Sequence, residues 1–209
     1  MGPRELARLV REAGVKDRRV LDAIAAVPRA GFVDADSVDR AYRDEPLPIA
    51  RGQVTTQPSL IARMLEALAL EGDELVLEVG TGYGFQTALL ARLAAEVVSV
   101  ERFADVAQTA RENLERHGAE NVEALVGDGS AGAPEWGPFD AIVVSAAFTE
   151  VPQPLADQLT VGGRLVQPVG PGGQELVALF ERGARGLERK ADVIWAHFVK
   201  LYGAHGFAS

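Results

Sequence analysis

Three glycines, Gly80, Gly82 and Gly84, alternate with other residues in a segment that begins and ends with acids, Glu78 and Glu101. Glycines permit positive φ angles and let a ligand lie directly against the backbone. Glu101 lies 21 positions after Gly80, and an acid about 20 residues beyond the first glycine can accept hydrogen bonds from ribose hydroxyls. The spacing therefore predicts half of a nucleotide-type binding site.

Two details of this segment favour S-adenosylmethionine over NAD as the cofactor. The NAD fingerprint G-x-G-x-x-G places its third glycine one position later, where this chain has Phe85. Glu78 would repel a pyrophosphate, but its charge suits a cationic amine such as the methionine part of S-adenosylmethionine. A glycine-rich turn with no ligand stays open as an alternative.

The elements around the turn predict a doubly wound, mostly parallel α/β sheet of the Rossmann-like type. Strands are expected at 75–79 and 97–100 with a helix at 85–93 between them, and strand and helix continue to alternate afterwards. Ligands of such sheets bind at the carboxyl ends of the strands. Asp128 and Ser145 fall at two further strand ends, so Asp128 is expected to accept an adenine amino hydrogen, and Gly129 to let the ring approach.

The whole chain reads as a single domain, 1–209, in which residues 1–57 precede an α/β core at 58–209. Helices are predicted at 4–13 and 17–27, and the irregular segment 28–54 is long enough to be functional or to wrap over a site. Residues 182–190 are expected to form a solvated turn, and the last strand to pair antiparallel. The remaining predictions are helices at 58–70, 103–117 and 152–159, the last capped by Gly162-Gly163, and strands at 122–126, 140–145, 164–169, 175–181 and 194–201.

Composition excludes several classes of function. The 209 residues include no cysteine, which excludes disulfides, thiolate metal sites and a catalytic thiol. The net charge of −9 opposes binding to a nucleic-acid backbone. No apolar run approaches the ~18 residues of a membrane span, and the N-terminus has no apolar signal core. We therefore expect a cytoplasmic protein without metal, nucleic-acid or membrane partners.

Longer segments resemble a known family. The glycine turn with VGDGS resembles class I S-adenosylmethionine-dependent methyltransferases. More specifically, the chain from about Val20 to Gly203 resembles the protein-L-isoaspartate O-methyltransferase family. The segments that carry this resemblance are VLDAIAAVPRAGFVDAD, AYRDEPLPIARGQVTTQPSLIARMLEAL, GRLVQPVGPGGQEL and HFVKLYG.

The resemblance implies a repair enzyme that methylates the free α-carboxylate of L-isoaspartyl residues in damaged proteins, and that works as a monomer. A carboxylate is already ionised at neutral pH, so no strong general base is needed. Accordingly His117 is expected on a helix surface, and His197 and His205 in strand or loop positions rather than as catalysts. The alternatives are another carboxylate substrate for the same fold, or a binding module without catalysis.

The resemblance also assigns residues to roles. Thr56 stands where the family has a serine that contacts the substrate carboxylate, and it can also cap the next helix. Tyr83 replaces a small residue and either covers or crowds the cofactor. Lys200 replaces a proline and either recognises a second carboxylate or faces solvent. The expected cofactor-binding residues are Glu78, Gly80, Thr81, Gly82, Tyr83, Gly84, Glu101, Arg102, Asp128 and Gly129, and the expected substrate-binding residues are Val54, Thr55, Thr56 and Tyr202.

Overall fold

Two short helices open the chain and pack their apolar faces against the rest of the protein. The computed structural model describes residues 2–208. Helix α1 spans Pro3–Glu12 and helix α2 spans Arg18–Ala26, within one residue of the predicted bounds. The Asp17 carboxylate accepts the backbone N–H groups of Arg19 and Val20 and so caps α2. Both helices belong to the hydrophobic cluster beneath the central sheet.

The segment that follows is more ordered than the irregular loop predicted for 28–54. It contains three short 3-10 helices, Arg29–Phe32, Ala35–Arg40 and Ala50–Gly52. A two-stranded antiparallel ribbon then pairs β1, Leu47–Pro48, with β2, Val54–Thr55. Between them Arg51 adopts a left-handed conformation with φ 61°. We call residues 49–53 the strap, because they lie across the glycine turn.

A seven-stranded sheet forms the body of the protein, in the order β5-β4-β3-β6-β7-β8-β9. Neighbouring strands are parallel from β5 through to β7. Strand β8 pairs antiparallel with β7 on one side and with β9 on the other. The doubly wound, mostly parallel sheet with an antiparallel C-terminal strand is therefore confirmed. The strands are β3 Leu75–Val79, β4 Glu96–Glu101, β5 Val122–Val126, β6 Phe139–Val144, β7 Leu159–Val169, β8 Glu175–Gly183 and β9 Gly186–Ala196.

Four helices pack on this sheet and complete two apolar layers. Alternate strand residues point to opposite faces, so Val76 joins one buried cluster and Leu77 the other. The strands in the middle of the sheet are apolar on both faces, as expected for a parallel sheet covered on both sides. The helices are α3 Pro58–Leu68, α4 Phe85–Leu90, α5 Ala104–Arg116 and α6 Gln153–Asp157.

Several boundaries predicted after residue 150 are wrong. Helix α6 ends at Asp157, and Gly162 and Gly163 lie inside β7 instead of capping that helix. A Cβ on Gly163 would come 3.0 Å from the Asp140 carbonyl oxygen, so glycine serves close strand packing there. The register between β6 and β7 also shifts at this position.

The C-terminal hairpin was also placed incorrectly. Residues 182–190 are not one solvated turn, because β8 and β9 stay paired as far as Gly183 opposite Gly186. The strand predicted at 194–201 ends at Ala196, and Lys200 makes only an isolated bridge to Ala147. Helix α4 ends at Leu90, three residues before the predicted end.

The strand order fixes where a ligand can bind. The chain winds outward from β3 to β4 and β5 on one side, and to β6 and β7 on the other. Strand β3 is therefore the point at which the order reverses, and a crevice opens there beyond the carboxyl ends. Within residues 2–208, no helix is long and apolar enough to cross a membrane.

Candidate active site

A cavity of about 410 Å³ opens at the carboxyl ends of the central strands. Its floor is the glycine turn, and its walls come from the ribbon strand β2, the end of β4, and the segment that follows β9. Most of the residues expected from the sequence meet here. Those that line the cavity are Val54, Thr55, Thr56, Gly80, Thr81, Gly82, Tyr83, Glu101, Arg102, Gly129 and Tyr202, whereas Glu78, Gly84 and Asp128 do not.

The glycine turn gives the cavity a floor made of backbone. Gly80, Gly82 and Gly84 have φ angles of 98°, 55° and 93°, which side chains with a Cβ rarely adopt. A Cβ on Gly80 would come 3.3 Å from the Ser145 Cβ. Gly84 is needed for packing instead, since a Cβ there would come 3.2 Å from Leu114 Cγ. The first two glycines thus leave room for a ligand, and the third seats α4 against α5.

Glu78 lies behind the turn, in a position that differs from the expected direct contact with the cofactor. Its carboxylate is fully buried and accepts hydrogen bonds from Gln86 Nε2 at 3.0 Å, Thr87 Oγ1 at 2.5 Å and Ser99 Oγ at 2.6 Å. Burial raises the pKa of Glu78 to about 7, although the three donors oppose that rise. Glu78 therefore acts on the cavity through its neighbours.

Gln86 is the neighbour that reaches the cavity, and sequence reasoning missed it. Its amide nitrogen donates to Glu78 and, at 3.0 Å, to Ser145 Oγ. Its carbonyl oxygen Oε1 is buried and has no hydrogen-bond partner among the described residues. A buried acceptor without a partner, with a carboxylate behind it, fits the amino group of a cationic ligand. Its position in the first turn of α4, beside the glycines, was the signal available in the sequence.

Glu101 ends β4 with its carboxylate on the cavity wall. One oxygen accepts the Gly82 N–H at 3.0 Å and the other the Phe103 N–H at 3.1 Å. The carboxylate is only 6% exposed, and burial raises its pKa against the opposing effect of these N–H groups. Each carboxylate oxygen has a second lone pair, so Glu101 can still accept hydroxyl groups from a ligand.

Arg102 and Tyr202 form the outer wall beside Glu101. The Arg102 guanidinium lies 5.1 Å from the centre of the Tyr202 ring and 4.9 Å from that of the Phe103 ring. Such stacking holds an arginine by cation–π attraction. It also fastens the C-terminal loop, which carries Tyr202, to the end of β4.

Asp128 also differs from the expected direct contact, because it anchors the C-terminal loop. Its Oδ1 accepts from Ser130 N at 2.9 Å and its Oδ2 from Ala204 N at 2.7 Å. Burial alone would raise its pKa, but the hydrogen bond from Ser130 Oγ and these two backbone hydrogen bonds lower it overall. The cavity itself is reached by Gly129, where a Cβ would clash with Val79 Cγ1 at 2.5 Å. Glycine there is therefore required for close packing against Val79 at the cavity wall.

Tyr83 neither blocks the turn nor points into open solvent. Its side chain is 8% exposed and packs with Ile49, Val106 and Phe103. Its hydroxyl accepts the Ala50 N–H at 3.3 Å and donates to Asp34 Oδ1 at 3.2 Å. Tyr83 therefore connects the glycine turn to the strap.

The segment Val54–Thr56 forms the wall opposite the turn. Thr55 is buried, Thr56 is half-buried and Val54 is 44% exposed at the mouth. Other residues at the cavity were missed or given no role from the sequence, chiefly Trp195, His197 and Phe198 on the segment that leaves β9. Trp195 is 60% exposed. Its exposure could not be read from the sequence, because the end of β9 was not foreseen.

The three histidines differ in their exposure and in what they contact. His197 is exposed and lines the cavity, and His205 is exposed in the C-terminal loop. His117 is not a free surface residue, because its ring packs 4.7 Å from the Phe32 ring and its Nδ1 lies 2.7 Å from the Asn113 carbonyl. Residues 2–208 contain no cluster of His, Asp and Glu that could hold a metal ion.

The sheet order, the glycine turn after β3, the acid at the end of β4 and the cavity between them define a class I methyltransferase that uses S-adenosylmethionine. A family model described as protein-L-isoaspartate(D-aspartate) O-methyltransferase matches residues 3–205. The chain therefore belongs to that family.

Individual relatives agree with this assignment. The chain is 52% identical over 199 residues to a protein-L-isoaspartate O-methyltransferase of Anaeromyxobacter dehalogenans, covering 94% of this chain and 95% of the relative. It is 53% identical over 177 residues to the protein of that name from Methanoculleus marisnigri, covering 84% and 80%.

Solved structures agree as well. A protein-L-isoaspartate O-methyltransferase structure superposes with a TM-score of 0.84 at 30% identity, covering 96% of this chain and 66% of that one. A putative protein-L-isoaspartate O-methyltransferase from Plasmodium falciparum, in complex with S-adenosyl-L-homocysteine, has the same fold. It superposes with a TM-score of 0.83 at 23% identity, covering 97% of this chain and 99% of that one.

Replacing Glu78 by glutamine tests the cost of its buried charge. The folded pKa of about 7 exceeds the ordinary value of 4.5, so the folded state binds the proton more tightly and stability falls as pH rises between these values. The Glu78→Gln protein lacks this titration. The free energy of unfolding is measured with urea at pH 5 and pH 8. Between these two pH values wild type should lose on the order of 3 kcal/mol more of it than Glu78→Gln does. The exposed Glu123→Gln serves as the control, and parallel pH curves for Glu78→Gln and wild type would contradict the assignment.

Replacing Tyr83 by phenylalanine tests the connection to the strap. The change removes only the hydroxyl, so the strap should open more often and trypsin should cut after the exposed Arg51 about 3- to 10-fold faster. Mass spectrometry of the fragments measures this rate. Tyr42→Phe is the matched control, because its hydroxyl makes no hydrogen bond within residues 2–208. An unchanged rate at Arg51 would show that the Tyr83 hydroxyl does not hold the strap.

Proposed function

We propose that this cavity binds S-adenosylmethionine together with an L-isoaspartyl residue of a damaged protein, and that the chain methylates the free α-carboxylate of that residue. The observation that carries the proposal is that the Val54–Thr56 wall faces the cofactor floor across one cavity, in a chain of this family. The resulting ester is the form that can close to a succinimide and reopen partly to normal aspartate, so the reaction repairs the backbone.

The cofactor-binding roles follow from what each residue presents to the cavity. The N–H groups and open faces of Gly80, Thr81 and Gly82 would lie against the methionine part, with Gln86 and the Glu78 charge behind it. Glu101 would accept the ribose hydroxyls, with Arg102 beside it, and Gly129 would lie against the adenine. When bound, S-adenosylmethionine supplies a methyl group on a carbon that its positively charged sulfur already activates.

The protein's own task in the reaction is to position the substrate and to exclude water. The substrate carboxylate is ionised at neutral pH, so no residue needs to remove a proton. Thr56 Oγ1 would donate a hydrogen bond to that carboxylate and fix its direction. Val54 and Thr55 would contact the substrate backbone, and Tyr202 would close the cavity from the C-terminal side. Holding the two reacting groups in line in this way accounts for most of the catalysis.

The proposed function also suggests the partners and the cellular location of the protein. We propose a monomer that works in the cytoplasm on damaged proteins and binds neither nucleic acid nor membranes. The net charge of −9 supports the absence of a nucleic-acid partner. A monomer suits an enzyme that must reach many different protein surfaces.

Thr56 variants test the substrate role. Thr56→Val keeps the shape and removes the donor to a charged group, so kcat/KM for an isoaspartyl peptide should fall about 10- to 100-fold. Thr56→Ser keeps the donor and removes only the methyl group that limits its rotation, so its activity should stay within about threefold of wild type. Methyl transfer to the isoaspartyl peptide is compared with transfer to the same peptide containing aspartate. Equal labelling of the two peptides by wild type would refute the repair assignment, and full activity of Thr56→Val would refute the role of Thr56.

A Glu101 variant tests the cofactor role. The amide of Glu101→Gln has a single acceptor oxygen, so it cannot accept both backbone N–H groups and ribose hydroxyls as the carboxylate does. Its Kd for S-adenosylmethionine, measured by calorimetry, should rise about 10-fold or more. The exposed Asp105→Asn, four residues further on, should bind like wild type. Unchanged affinity in Glu101→Gln would place the ribose elsewhere.

A further inference from the structure

Arg29 is a fully buried arginine whose side chain holds together two distant stretches of backbone. It is 0% exposed and lies in the first of the short 3-10 helices. Its two terminal nitrogens donate only to backbone carbonyl oxygens. These belong to Ala41 at 3.3 Å, Arg43 at 3.1 Å and Glu45 at 3.0 Å on one side, and to Thr55 at 3.4 Å and Thr56 at 3.1 Å on the other.

The burial of this cation indicates how strongly its position is fixed. Burial lowers the pKa of Arg29 to about 10, although the nearby carboxylates of Asp44 and Glu45 oppose the change. The guanidinium therefore remains charged at neutral pH. It also lies 5.6 Å from the centre of the Phe85 ring, which follows the glycine turn. A buried cation is costly unless its donors are used, and Nε is the one nitrogen that lacks a partner among the described residues.

Asp44 fixes the other side of the same loop. Its Oδ2 accepts from Gln57 Nε2 at 3.0 Å, and its Oδ1 accepts from Ser59 N at 2.8 Å. Thr56 thus lies between a carbonyl group held by Arg29 and a neighbouring side chain held by Asp44. Thr56 is half-buried and lines the cavity, and neither Arg29 nor Asp44 is among the residues that line it.

We propose that Arg29, together with Asp44, is a positioning residue for methyl transfer: it fixes the backbone at Thr55 and Thr56, and so aims the Thr56 hydroxyl at the substrate carboxylate. This inference rests on the proposed role of Thr56. Only arginine presents a planar fork that reaches five carbonyl oxygens at once. Lysine keeps the charge but has a single nitrogen, so it cannot hold both stretches of backbone.

The test compares Arg29→Lys with a matched control, Arg182→Lys. Arg182 Nη1 also donates to three carbonyl oxygens, those of Ala156, Asp157 and Leu159. These groups lie at the opposite edge of the sheet, where Leu159 pairs with Phe139 at the start of β6. Four properties are measured on both proteins. They are thermal unfolding, kcat and KM with an isoaspartyl peptide, calorimetric affinity for S-adenosylhomocysteine, and hydrogen exchange over residues 53–57.

Arg29→Lys should lower kcat about 10- to 100-fold, because small misplacements of a reacting group have effects of that size. Affinity for S-adenosylhomocysteine should stay within about twofold of wild type, since Arg29 does not line the cavity in which the cofactor would bind. Exchange over residues 53–57 should accelerate in Arg29→Lys and not in Arg182→Lys. A loss of thermal stability in both variants, with kcat per folded molecule unchanged in Arg29→Lys, would overturn the proposal and leave Arg29 a purely structural residue.

Two further arms keep the result decisive. If Arg29→Lys does not fold, Asp44→Asn takes its place, since it weakens the hold on Gln57 and Ser59 while Arg29 remains. Faster exchange over 53–57 with a lower kcat then supports the proposal, and wild-type values for both overturn it. If wild type labels no isoaspartyl peptide, the proposed function fails, whereas the exchange rates still decide whether Arg29 fixes the Thr55–Thr56 backbone.

Discussion

The buried carboxylate of Glu78 is the interaction on which the cofactor half of the site depends. It is the last but one residue of the central strand and receives donors from two elements, α4 through Gln86 and Thr87, and β4 through Ser99. Ser99 Oγ also lies 2.5 Å from Thr81 Oγ1 in the glycine turn. One acidic side chain therefore sets the turn, the next helix and the neighbouring strand relative to one another. A neutral apolar residue could fill the same space but would leave these buried polar groups without partners.

The substrate half of the site is attached to this framework by fewer contacts of unequal strength. The outer end of the strap is held by the Arg51–Asp105 ion pair at 2.8 Å, whose side chains are 56% and 52% exposed. Exposed pairs of this kind contribute little stability. Beyond the strap, the backbone at Thr55 and Thr56 is held by the buried guanidinium of Arg29. The exposed ion pair is therefore the weaker attachment, and the backbone at Thr55 and Thr56 is the more firmly held part of this segment.

What could be predicted from the sequence was local in character. The glycine spacing and the acid at the end of β4 identified the cofactor and the edge of the sheet that binds it, because these features depend on residues close in sequence. The orientations of Glu78 and Asp128 could not be predicted, since Glu78 is satisfied in part by Ser99, 21 residues away on another strand, and Asp128 by Ala204, 76 residues away. Arg29 was likewise missed, because a single arginine in a loop gives no sign of carbonyl partners up to 27 residues distant. The C-terminal hairpin was misplaced because its charged residues resemble a solvated turn even though they pair.

Three residues depart from the usual pattern of the family, and the structure gives two of them a physical explanation unrelated to a different substrate. Tyr83 holds the strap through its hydroxyl. Lys200 Nζ lies 4.9 Å from the centre of the Phe207 ring, so it helps to seat the C-terminal loop. Lys200 also lines the cavity, but Thr56 is the one that would donate a hydrogen bond to the substrate carboxylate. Threonine has fewer χ1 rotamers available than serine, and Arg29 fixes the backbone to which it is attached. The extra methyl group therefore restricts the hydroxyl to few directions before the substrate arrives, which favours a carboxylate held in one geometry.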